Sequence, residues 1–260
     1  MGWLPVPNPI AFTIFGVSIR WYAICLTTGM IVAVLLAYYR APKKLLSPDR
    51  LLDFFVWCAP AGIIGARAYY VIFRWSYYKD HLDQILHFRG GGLAIHGTII
   101  AVVISMYFVA KHYKEDLLSW IELTAPCWPL AQAIGRWGNY FNSEAHGIET
   151  NLPWAIFADG KWVHPTFLYE SIWCFLLFIF ILWWDESGRT QFKGQLVCFY
   201  MIFYSLERFF VESLRTDSLY IGPFRQAMVL SACAFVLGIV LYIIFKKKYS
   251  KDACGELDSI

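Results

Sequence analysis

The chain has 260 residues, of which 58% are hydrophobic, 19% aromatic and 16% charged, with a formal net charge of +3. Its mean hydropathy is +0.49. Soluble domains run about 45–50% apolar and about 25% charged, so the composition excludes disorder, a collagen-like repeat and a charge-driven nucleic-acid binder. It implies an all-α polytopic membrane protein whose residues 1–260 form one integral membrane domain.

The N-terminal MGWLPVPNPI lacks a basic region and does not read as a cleavable signal peptide. Apolar stretches long enough to act as spans then predict seven transmembrane helices, near Val17–Tyr39, Leu51–Phe73, Leu93–Ala110, Leu117–Ile134, Thr166–Trp184, Gln195–Phe210 and Gln226–Phe245. Pro126 and Pro129 interrupt the fourth, a break that neighbouring helices can accommodate. Between the fourth and fifth, residues 139–165 read as a small extracytoplasmic cap. Within it, Asp159-Gly160 between Trp154–Phe157 and Lys161–Val163 predicts a tight hairpin. The seven cysteines form no CxxC pair and all but Cys254 lie in apolar runs, which reads as packing rather than disulfides or a metal site.

Basic residues divide unequally between the two sets of loops. One set holds Arg40, Lys43, Lys44, Arg50, Lys111, Lys114, Arg189, Lys193 and the KKKYSK tail; the other holds six, from Arg74 to Arg225. The positive-inside rule places the richer set in the cytoplasm, with the N-terminus outside and the C-terminus inside.

Charges inside a bilayer are costly and mark function by default. Arg20, Arg67, Arg136 and Arg208 all fall toward the external ends of their spans. Guanidinium forks match phosphate oxygens and stay charged when desolvated, so the four predict a pocket for an anion, most naturally a phosphate. Snorkelling to headgroups is the alternative for Arg20, and an i,i+4 pair with Glu212 the alternative for Arg208. The run Gly90-Gly91-Gly92 leads to His96 and Gly97 at the start of the third span. Glycines there allow close backbone approach, and a helix N-terminus offers free N–H groups to an anion. His96 reads either as a base or as a structural donor. Asn139, Asn142 and Glu144 after Arg136 can brace it or bind hydroxyls, or form a plain turn.

GRWGNYFNSEAHG at Gly135–Gly147 resembles the signature segment of prolipoprotein diacylglyceryl transferases. IRWY at Ile19–Tyr22, GARAYYVIF at Gly65–Phe73, GGLAIHG at Gly91–Gly97, HPTFLYES at His164–Ser171 and ERFFVESLRTD at Glu207–Asp217 follow in the family's order. The resemblance covers nearly the whole chain. Its departures are Thr98 where many members carry a second glycine, and Arg89 before the glycines. It implies an enzyme of the bacterial cytoplasmic membrane, with its active site facing the external leaflet. The reaction implied moves a diacylglyceryl group from phosphatidylglycerol to the lipobox cysteine thiol of a prolipoprotein signal peptide, forming a thioether and releasing glycerol phosphate. No cofactor, metal or nucleic acid is implied; the partners are the two substrates and the lipid bilayer. The resemblance carries catalytic roles onto His96, Arg136 and Arg208. It carries headgroup binding or bracing onto Tyr22, Asn139, Glu144, Gly147, Tyr204 and Glu212.

Two other readings predict different patterns. An anion transporter would distribute charge through the membrane depth and show an inverted repeat. A structural subunit would use isolated polar groups between helices. Here the charges favour one face, no repeat is visible, and arginines, glycines and a histidine fall together.

Overall fold

The computed structural model describes Leu4 and residues 6–87 and 92–255, apart from the side chains of Ile95 and of residues 250–255. Arg89, Gly90 and Gly91 of the glycine run, and the side chains of Lys251 and Cys254, lie outside that set. The chain divides into two units. One combines the residues up to Ala37 with those from Ile121 onward, and the other is Tyr38–Trp120.

The first unit opens with a hairpin of β1 (Ile10–Ile14) and β2 (Val17–Arg20). Phe15 and Gly16 turn it at φ of 48° and 78°. The helix α1 (Trp21–Arg40) follows directly. The first span therefore begins later than its apolar run suggests, because the alternating stretch before it pairs as strands.

The expected fourth span divides into α5 (Leu117–Thr124) and α6 (Cys127–Phe141). Pro126 is the N-cap of α6, and Pro129 falls in its first turn, where a missing N–H costs no helical hydrogen bond. Because α6 starts late and runs to Phe141, Arg136 and Asn139 lie within the helix rather than at its close. The hairpin expected at Asp159-Gly160 is present as β3 (Ile156–Ala158) and β4 (Lys161–Val163), with Ala158 opposite Lys161. Both turn residues have positive φ, 48° and 76°, as a type I′ turn requires.

The long helices α7 (Thr166–Glu186), α8 (Gln195–Leu214) and α9 (Gln226–Gly255) follow. A third small hairpin, β5 (Tyr220–Ile221) with β6 (Phe224–Arg225), lies between the last two. Ala125, Leu177, Ile181, Leu196 and Val197 form a buried core, ringed by Trp128, Phe180, Trp184 and Phe199. On α7 the buried positions Phe167, Glu170, Cys174, Leu177 and Ile181 recur at helical spacing. That apolar stripe is what carries Glu170 inward.

In the second unit, α2 (Pro48–Phe73), the short α3 (Trp75–Tyr78) and α4 (Ile95–Tyr113) are joined by loops. Pro48 occupies the first helical turn of α2 after Ser47. The α2–α4 crossing is tight: a Cβ on Gly65 would fall 2.6 Å from the Gly97 carbonyl oxygen. Gly97 thus gives room to the helix crossing.

The protein is mostly helical. Among the described residues, four helices, Trp21–Arg40, Pro48–Phe73, Thr166–Glu186 and Gln226–Tyr249, are long and apolar enough to cross a membrane. Their outer faces expose Leu35, Val56, Leu176 and Val236, as lipid-facing surfaces do.

Candidate active site

Helices α6, α7 and α8 of the first unit bring together a network of guanidinium and carboxylate groups. At its centre is Glu170, whose side chain is 1% exposed. Its Oε2 lies 2.5 Å from Nη2 of Arg136. Its Oε1 lies 3.2 Å from Nη1 of Arg208 and 3.6 Å from Nη1 of Arg215. One carboxylate thereby holds three arginines, each oxygen facing a different side.

The spacing of α8 supplies the rest. Tyr204, Arg208 and Glu212 follow at intervals of four and share a face. Arg136 donates to the Tyr204 hydroxyl at 3.2 Å. Arg208 donates through Nη2 to Glu212 at 2.5 Å, so the i,i+4 pair read from the sequence forms within the network. Arg215 makes a two-pronged contact with Asp217, Nε to Oδ1 at 2.9 Å and Nη2 to Oδ2 at 2.7 Å. The guanidinium beside it holds the Asp217 carboxyl below the usual carboxylate range. Arg225 donates to the backbone carbonyls of Glu212 and Arg215.

The distribution of exposure gives this network a direction. The Glu170 and Glu212 side chains are 1% and 3% exposed, while those of Arg136, Arg208 and Arg215 are 20%, 16% and 12% exposed. Carboxylates form the floor and guanidinium groups the accessible face. Each arginine keeps N–H donors beyond those used on its carboxylate, so the face suits an anion with several oxygens.

Around it, Tyr22 of α1 packs against α6. A Cβ on Gly138 would lie 2.8 Å from the Tyr22 ring, so the glycine is what admits the tyrosine. Asn139 donates to Glu144 at 3.0 Å, and the two form a polar pair one helical turn beyond Arg136. Gly147 fits where nothing larger does: a Cβ would fall 2.7 Å from the His164 side chain. Its N–H donates to the His164 carbonyl at 2.9 Å. Gly147 therefore joins its own segment closely to the entry of α7. Nearby, the Tyr169 hydroxyl accepts from Trp154 at 2.9 Å and lies 3.1 Å from Nδ1 of His164. Burial pushes the His164 imidazole below its ordinary value, which favours a neutral ring accepting from Tyr169.

His96 lies in the second unit, as the second residue of α4, exposed and stacked on Tyr69 at 5.9 Å between ring centroids. Arg67 departs from the anion-pocket expectation. Its guanidinium donates to three backbone carbonyls, of Gln84 at 2.7 Å, Ile85 at 2.8 Å and Gly92 at 3.1 Å. Gly92 adopts φ +75°, and a Cβ there would meet Nη1 of Arg67 at 2.6 Å. Arg67 is thus a clamp on the loop leading to His96. Arg20 ends β2, exposed.

Sequence reasoning missed Glu170 as the centre and read Arg215 and Arg225 only as loop charges. The signal for Arg215 was present: Arg208, Glu212 and Arg215 stand at i, i+4 and i+7, one helical stripe continuing past the end of α8.

A mostly helical protein with helices apolar enough to cross a membrane thus carries a face of guanidinium groups over buried carboxylates, an arrangement that suits an anion. The chain is a member of the prolipoprotein diacylglyceryl transferase family, whose family model matches residues 9–244. A phosphatidylglycerol–prolipoprotein diacylglyceryl transferase of Finegoldia magna is 48% identical over 243 residues, covering 94% of this chain and 98% of that protein. The similarly named protein of Clostridioides difficile is 46% identical over 247 residues, with 95% and 99% covered. That of Clostridium novyi is 48% identical over 246 residues, with 91% and 95% covered.

Proposed function

We propose that this protein transfers the diacylglyceryl group of phosphatidylglycerol to the lipobox cysteine of a prolipoprotein, at the external leaflet of a bacterial cytoplasmic membrane. Seven spans, with the N-terminus outside and the C-terminus inside, complete the reading. Its single strongest support within the molecule is the three-arginine face held by Glu170.

The reaction joins the substrate thiol to a glycerol carbon and releases glycerol phosphate. Arg136 and Arg208 hold the phosphodiester and stabilise the charge that grows as the phosphate leaves. Fixed donors aimed at a developing anion in a dry site are worth several kcal/mol, on the order of 10²–10³ in rate for each donor removed. Tyr204 orients Arg136, and Glu212 orients Arg208. His96 takes the thiol proton, because the thiolate is the nucleophile. Tyr22, Asn139 and Glu144 line the headgroup side, and Gly147 braces the cap. The protein's own cysteines take no part, since the nucleophile belongs to the substrate.

The test is direct. Purified protein in lipid nanodiscs receives phosphatidylglycerol and a lipobox peptide, and the peptide mass is followed together with glycerol phosphate release. The expected result is a gain of one diacylglyceryl group by the cysteine peptide and none by its serine counterpart. No transfer by folded protein across several acyl chains and peptides would overturn the assignment.

A further inference from the structure

The network leaves one buried acid unaccounted for. Glu207 is 6% exposed, and neither of its carboxyl oxygens has a hydrogen-bond partner among the described residues. It follows Tyr204 by three positions on α8 and precedes Arg208, so it lies on the face that carries the network. The charged and titratable groups coupled to it are Glu170 and Cys174 of α7, Arg136 of α6 and its neighbour Arg208. An ionised carboxylate there would be buried without a hydrogen bond and close to the Glu170 carboxylate, a costly arrangement. The neutral acid removes that repulsion and leaves an O–H donor with no acceptor among the described residues.

Charge counting points the same way. Arg136, Arg208 and Arg215 engage three carboxylates, Glu170, Glu212 and Asp217, and Arg225 adds a fourth guanidinium that donates to the backbone carbonyls of Glu212 and Arg215. With Glu207 neutral, one positive charge is in excess, which matches a phosphodiester monoanion. Ionised Glu207 would cancel that excess before the substrate arrived. Once the carbon–oxygen bond breaks, the departing phosphate would become a dianion in the same buried place unless it gained a proton.

We propose that Glu207 is a catalytic acid, stored neutral beside the arginine face, that gives its proton to the departing phosphate. This rests on the transferase reading above. As the sulfur–carbon bond forms, the glycerol carbon–oxygen bond breaks and its electron pair stays on the phosphate oxygen. That oxygen takes the Glu207 proton, so glycerol phosphate leaves as a monoanion. The proton released by the substrate thiol restores Glu207 through solvent after product departure. Over the cycle the thiol hydrogen ends on the phosphate, with no oxidant or other reactant.

The experiment compares wild type with Glu207→Gln on two donors, phosphatidylglycerol and its phosphorothioate analogue, whose departing thiophosphate is a weaker base. General acids contribute about 10²–10⁴ in rate. The expected result is a kcat about 10²-fold lower on phosphatidylglycerol, with KM within about threefold, and a markedly smaller loss on the phosphorothioate. Equal losses on both donors, an unchanged kcat, or a change confined to KM would overturn the role. If Glu207→Gln does not fold, Glu207→Asp takes its place. That variant keeps an acid one methylene back, and a donor dependence lying between wild type and full loss is expected; a wild-type dependence overturns the proposal. A wild-type protein that transfers lipid from neither donor would overturn the function itself, which separates the two failures.

Discussion

Replacing Glu170 by glutamine keeps the side chain's shape and removes the negative charge on which three arginines converge. Two unit charges 4 Å apart attract by about 4 kcal/mol at the effective dielectric of a partly buried site. Glu170 makes contacts of 2.5 and 3.2 Å with Arg136 and Arg208 and one of 3.6 Å with Arg215. The gross loss over the three pairs is therefore on the order of 12 kcal/mol. Desolvation of the lost carboxylate offsets part of it, and removing one partner from a buried pair nets about 3–5 kcal/mol. The amide adds a geometric fault, since its NH2 turns a donor toward one of the guanidinium groups. If about 3 kcal/mol of that loss appears in the transition state, the rate falls by about two decades. The initial rate of peptide lipidation, measured on protein shown to be folded and membrane-inserted, reads this. Glu170→Asp should fall between the two, because it keeps the charge but withdraws it. A glutamine variant within threefold of wild type would refute the view that Glu170 sets the arginine geometry.

Gly147→Ala should lower stability by about 1–3 kcal/mol, the usual cost of overpacking, because its Cβ meets the His164 side chain at 2.7 Å; thermal unfolding checks it. Asp217 contributes stability through Arg215 that is fully present above the ordinary carboxylate range and lost as pH falls through its lowered folded value. The stability difference between wild type and Asp217→Asn should hold steady at neutral pH and shrink below about pH 4; a difference that ignores acid would contradict the pairing. Arg67→Lys keeps the charge but cannot reach the three carbonyls of Gln84, Ile85 and Gly92 together. It should speed hydrogen exchange in the loop before α4, leaving the α8 segment unchanged.

The helical, membrane-spanning character was legible because apolar composition and run length speak for themselves. The Asp159-Gly160 hairpin was legible because that pair suits a two-residue turn with positive φ. The hairpin before α1 was not, since its alternation is hidden in a run that is apolar on both faces. Within the network, Arg136, Arg208 and Glu212 were legible as charged residues on otherwise apolar helices, and Tyr204 through the family resemblance. Glu170 stands inside HPTFLYES, whose residues give no sign of its depth. Only the register of the α7 stripe turns it inward. Arg67 shows the opposite case: an arginine in a span looks like a ligand site, yet backbone carbonyls supplied by the following loop engage it. Sequence position fixes which face a residue shares, but not which distant carbonyl or carboxylate comes to meet it.

The central claim is that a fixed guanidinium fork on α6 holds the lipid phosphate during transfer. Arg136→Lys tests it most directly, because lysine retains the charge and loses the two-pronged geometry. The measurement is the rate of diacylglyceryl transfer from phosphatidylglycerol to a lipobox peptide, by peptide mass, on wild-type and variant protein at equal membrane incorporation. The account predicts a fall of about 10²-fold or more. A lysine variant that transfers lipid at the wild-type rate would contradict it.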